Sequence, residues 1–132
     1  MTTAHRLLLP LGLALLAACA QKPSSVTLQQ NQQGKCPLAL QVGQQLVLTL
    51  PSNPTTGFRW VLRDGAPSVL RSLSPEVYSN PEDAGLVGSA GQSTWLFQVA
   101  QAGEGHLRLT YQRPWETEVV PAKTFDCPLK AR

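Results

Sequence analysis

Cys19, Cys36, Cys127 and His106 are the side chains of this chain best suited to covalent or metal chemistry, and their spacing argues against most of it. A catalytic nucleophile needs a base within hydrogen-bond reach, yet no nucleophile–base pattern is legible. There is no phosphate-cradling loop and no pair of carboxylates near a pocket signal. Glu82-Asp83 reads as a solvated loop tip, and alternation places His106 on a strand. A Cys36/His106/Cys127 metal site is conceivable but lacks close ligand pairs and a fourth ligand. The expectation is a protein with no catalytic residue, cofactor or metal, and hence not an enzyme.

The cysteines have other uses. Arg6 precedes an apolar run from Leu7 to Leu16, and Ala17-Ala18-Cys19 follow. A basic start, a short apolar stretch and small residues read as a signal peptide over residues 1–18, too short for a comfortable membrane span. Leu16-Ala17-Ala18-Cys19 also resembles the bacterial lipobox, in which cleavage precedes the cysteine and lipid is attached to it. That resemblance implies a lipoprotein held in a bacterial cell envelope through Cys19. Several acyl chains, at about 0.8 kcal/mol per buried CH₂, would make the attachment stable. Ala20 rather than Asp after the cysteine implies the outer membrane, facing the periplasm or the exterior. An ordinary secretory signal is the plainer alternative.

With Cys19 lipidated, Cys36 and Cys127 form an even, exported pair, for which a disulfide is the default. It would tie the first strand to the last across about 90 residues and contribute on the order of 4–5 kcal/mol in the loop-entropy picture. Residues 20–35 (AQKPSSVTLQQNQQGK) are polar and rich in Gln and Ser, without hydrophobic periodicity. With Cys19 they read as a flexible linker reaching at most roughly 55 Å, and residues 36–132 as the folded domain. Loss of residues 1–18 removes one basic residue, Arg6, and lowers the formal charge from +3 to +2. That charge is too weak and dispersed for a nucleic-acid partner.

The most restricted run is Asn53-Pro54-Thr55-Thr56-Gly57, followed by Phe58-Arg59-Trp60. Asn53 is pushed towards extended backbone by the proline after it, and Pro54 fixes its own φ. Thr55 and Thr56 are stiff at χ1, and Gly57 is free to adopt a positive φ. The result is a rigid turn, uncharged at its tip and rich in hydroxyls and carbonyls. Two further breaks follow downstream, Gly88-Ser89-Ala90-Gly91 and Arg113-Pro114-Trp115.

Short alternating runs separated by Pro, Gly, Asn and Ser must position these turns. Leu46, Leu48 and Leu50 alternate with polar or outward neighbours, as do Phe58, Trp60 and Leu62, then Trp95, Phe97 and Val99, then Leu107, Leu109 and Tyr111. Period-2 alternation is the half-buried strand signal. Strands are predicted near residues 38–42, 45–50, 58–63, 69–73, 76–79, 94–100, 105–111 and 122–127, with a tight turn at Gly103-Glu104-Gly105 and a long loop over 80–93. About seven or eight strands without a helical repeat imply an all-β, immunoglobulin-like sandwich. Its alternate connections fall at one end, so the three marked loops should share a pole.

NPTTG, a glycine-rich segment and RPW, in that order over about residues 38 to 127, resemble the chagasin family of protein inhibitors of papain-like cysteine proteases. The resemblance implies a wedge of three loops in the enzyme's cleft. Asn53, Pro54, Thr55, Thr56 and Gly57 would plug its middle, Gly88, Ser89, Ala90 and Gly91 would lie along one side, and Arg113, Pro114 and Trp115 along the other. A stiff wedge loses little entropy on docking. Trp115 outside any strand suits an interface anchor, the alternative being that it folds back over the sandwich end. The family usually has glycine where Ala90 stands, which implies altered affinity or selectivity. The competing reading is a non-inhibitory envelope lipoprotein whose sandwich binds another protein or a ligand. No self-complementary patch is legible, so a monomer is expected.

Overall fold

A computed structural model describes residues 24–80 and 91–132. Eight strands run in chain order as β1 (Ser25–Gln29), β2 (Leu38–Leu40), β3 (Gln45–Ser52), β4 (Arg59–Gly65), β5 (Leu70–Ser79), β6 (Gly91–Val99), β7 (Gly103–Gln112) and β8 (Lys123–Ala131). They form two four-stranded sheets, ordered β1-β3-β6-β5 and β2-β8-β7-β4. The expected all-β sandwich is thus the fold.

The core follows from the alternation. Leu46, Leu48 and Leu50 of β3 and Trp95, Phe97 and Val99 of β6 point inward from one sheet. Leu107 and Leu109 of β7 and Phe125 and Leu129 of β8 face them from the other. All are buried, each contributing about 1.5–3 kcal/mol of hydrophobic stabilisation. Cys36 and Cys127 are joined in a disulfide, with Cα atoms 5.3 Å apart. Both thiols are thereby consumed, which disposes of the Cys36/His106/Cys127 metal alternative.

Five expectations are corrected. The linker expected over residues 20–35 is part of the fold from Ser25 onward: β1 pairs in parallel with β3, and residues 30–35 make a 3-10 segment. Leu28 is fully buried and Val26 packs on the core, an alternation too short to stand out among glutamines. The disulfide consequently anchors the approach to β2, not the first strand. Residues 69–73 and 76–79 belong to one strand, β5, whose ladder with β6 steps over two irregularities near Ser74. Pro75 is tolerated because β5 is a sheet edge. Gly103-Glu104-Gly105 opens β7 instead of turning, and Leu62 is exposed beside a register shift in β4.

Candidate functional site

Register fixes which connections meet. Ser52, at the end of β3, lies opposite Gly91, at the start of β6. Arg59, at the start of β4, lies opposite Gln112, at the end of β7, and Tyr111 opposite Lys123 of β8. The β3–β4 turn, the flanks of the β5–β6 connection and the β7–β8 loop therefore share one pole. Gly88, Ser89 and Ala90 lie outside the described residues. Gly91 is buried at the foot of β6, where an added Cβ would run into the Tyr78 ring and hydroxyl.

The tip is built by its own side chains. Asn53 folds its carboxamide over the turn and accepts hydrogen bonds from the Thr55 amide at 3.3 Å and from the Thr55 hydroxyl. The Thr56 hydroxyl donates to the Asn53 carbonyl at 2.9 Å. Pro54 enters the single 3-10 turn Pro54–Thr56, and the Gly57 amide closes it on the Pro54 carbonyl at 3.0 Å. Gly57 stops it at φ +85°, a left-handed conformation that costs other residues about 1–2 kcal/mol. Thr55 and Thr56 stay exposed. These local bonds spend the turn's hydroxyl protons internally and hold an uncharged wedge.

An aromatic column carries the wedge. The Trp60 indole N–H donates to the Pro51 carbonyl at 2.8 Å, and the Asn53 amide donates to the Tyr111 hydroxyl at 3.0 Å. Tyr111 packs on Trp60 with ring centroids 4.9 Å apart and on Phe58 at 5.3 Å. The Arg113 guanidinium lies 4.6 Å above the Phe58 ring. By alternation alone, Tyr111, Trp60 and Phe58 read only as strand residues. Their signal was in plain view, as aromatics closing the strands that flank the two loops.

Arg113 then joins the loops. Its Nε donates to the Thr56 carbonyl at 3.1 Å, and a terminal nitrogen stands 3.6 Å from the Glu116 carboxylate. Trp115 leans its ring edge over Gly57, where a Cβ would sit 2.7 Å from Cη2. Yet 68% of Trp115 remains exposed, so it does not fold back over the sandwich end. Pro114 is exposed between them. Asn53 through Gly57 and Arg113 through Trp115 are thus brought into one contiguous surface.

The chain is thus a β-sandwich with two preformed, exposed loops joined at one pole. Residues 39–129 match the family described as Chagasin family peptidase inhibitor I42, and the chain belongs to that family. Its members are peptidase inhibitors and not enzymes. The chain is 34% identical to chagasin of Trypanosoma cruzi over 96 residues, which cover 71% of this chain and 87% of that protein. It is 32% identical to amoebiasin-1 of Entamoeba histolytica over 73 residues, covering 55% and 69% respectively. Among solved structures, the cysteine protease inhibitor EhICP2 of Entamoeba histolytica superposes with a TM-score of 0.65 at 16% identity, covering 82% of this chain and 95% of that one. PbICP-C, solved in complex with falcipain-2, gives 0.51 at 17% identity, covering 89% and 96%.

Proposed function

We propose that this protein is a reversible inhibitor of papain-like cysteine proteases that wedges its polar loops into the active-site cleft. The observation that carries the reading is the junction of Gly57 with Trp115 and of Thr56 with Arg113 at one pole. Family membership supports inhibition of a peptidase, and the relatives described as cysteine protease inhibitors support the class of enzyme. The physics suits a cleft occupied by a catalytic thiolate–imidazolium pair. An uncharged tip buries no unpaired charge beside that pair. A turn closed by its own hydrogen bonds has little conformational entropy left to lose. Gly88, Ser89 and Ala90 complete the wedge in this proposal, with Ala90 tuning which proteases fit, while Gly91 is the buried first residue of β6.

Lipid attachment at Cys19 and an outer-membrane location are further parts of the proposal. Their support is the Leu16-Ala17-Ala18-Cys19 pattern. Labelling with a radioactive fatty acid, present in the native chain and lost in Cys19→Ala, tests the attachment. The domain is proposed to act as a monomer.

Titration of papain with the purified, disulfide-bonded protein, following hydrolysis of a fluorogenic substrate, tests the central claim. Tight, reversible, stoichiometric loss of activity is expected. No inhibition at micromolar protein, here and across a panel of papain-like proteases, would sink the claim. It would favour a sandwich that binds some other envelope protein or ligand.

A further inference from the structure

Val120, Trp115 and Val119 are the three most exposed large apolar side chains among the described residues, at 83%, 68% and 56%. All three lie in the ten-residue connection between β7 and β8, which is pinned at both ends. The Glu116 amide donates to the Arg113 carbonyl at 2.9 Å, and the Ala122 amide to the Tyr111 carbonyl at 2.9 Å. The valines are therefore held outward on an anchored loop. Exposed apolar side chains gathered in one place mark interaction surfaces.

Val119, Val120 and Ala122 form one wall of a shallow cleft of about 340 Å³, with Phe58, Gln112, Arg113 and Glu116 as the remainder. Several polar groups of that cleft are already engaged. Arg113 and Glu116 face each other at 3.6 Å, and the Gln112 carboxamide oxygen accepts from Arg63 at 2.9 Å and from Thr110 at 2.8 Å. A charged or strongly polar occupant would have to displace these bonds, whereas an apolar one would cover surface that water now wets. The cleft shares Arg113 with the wedge and is bordered by the same loop that carries Trp115, so it lies next to the surface that a partner of Trp115 would cover.

We propose that Val119 and Val120 are selectivity-determining contacts, receiving one aliphatic or aromatic side chain from the rim of the target protease beside the Trp115 contact. This rests on the function proposed above. Trp115 is the general anchor, and the valine pair discriminates among enzymes by the side chain each carries at that rim position.

The test compares the intact protein with a Val119→Ser/Val120→Ser variant against a panel of papain-like proteases, with Trp115→Ala as the reference. Both valines are exposed, so the melting temperature should stay within a degree or two. The double variant should lose tenfold or more against at least one enzyme and less than twofold against another, while Trp115→Ala weakens inhibition of all. Equal losses across the panel, or none, with the unaltered protein inhibiting well, would overturn the valine role and leave the inhibitor reading standing. A change from dimer to monomer on gel filtration without altered inhibition would assign the patch to a second copy of this chain and also overturn it. If the unaltered protein inhibits no papain-like protease, the reading beneath it fails and this inference falls with it.

Discussion

The edge of the Trp115 indole occupies the space that a side chain on Gly57 would need, 2.7 Å from where its Cβ would stand. Gly57 therefore serves twice: it takes the left-handed φ that ends the turn, and it leaves room for the exposed ring of the neighbouring loop.

Gly57→Ala should accordingly damage both the fold and the site. The left-handed backbone costs about 1–2 kcal/mol. Inhibition should weaken by a further factor of ten or so as the ring is pushed aside, since about 1.4 kcal/mol is tenfold. A double-mutant cycle with Trp115→Ala separates the two effects. The inhibitory penalty of the alanine should shrink once the indole is gone, and a fully additive cycle would refute the contact.

Trp115→Ala removes a mostly exposed anchor. Inhibition constants should rise by about 2 kcal/mol or more, roughly thirtyfold, while thermal unfolding barely moves. A large fall in melting temperature with unchanged inhibition would make the indole a packing residue only.

Arg113→Lys probes a geometry that charge alone cannot meet. Arginine reaches the Thr56 carbonyl with Nε, lies over Phe58 and faces Glu116 at once. Lysine carries one compact ammonium and cannot keep all three contacts. Inhibition should weaken by about 1 kcal/mol and amide exchange at Gly57 should quicken. Glu116→Gln should change little, because a partly exposed ion pair contributes about 0–1 kcal/mol.

Cys36→Ser should act on the fold and spare the site. The bond closes a loop with a sequence separation of 91, which in the entropy picture contributes about 4–5 kcal/mol at most. The melting temperature should fall by more than about 10 °C. Cys127 lies roughly 13 Å along β8 from its polar end, so inhibition measured well below the transition should persist.

Much of this was legible from residue types. The alternations around Leu48, Phe97 and Leu109 named the strands, because a half-buried sheet imposes period two on any chain that forms it. Asn53, Pro54 and Gly57 announced the turn, because each restricts its own backbone without help from afar. Val26 and Leu28 were lost among glutamines: two apolar positions do not make a period, and only pairing with β3 reveals their role. β5 was divided at Pro75 because a missing N–H is harmless only on an edge, and which strands are edges is a property of the assembled sheet.

The order of turns and strands thus settled, before any folding, that this chain would be a β-sandwich carrying stiff loops at one end. It could not show that the Tyr111 hydroxyl takes the Asn53 amide, that Arg113 reaches the Thr56 carbonyl, or that Trp115 rests on Gly57. Those partners are more than fifty residues apart in the chain, and no local preference encodes a distance between them. Only the register of β4 on β7 and the packing of the two sheets brings them together.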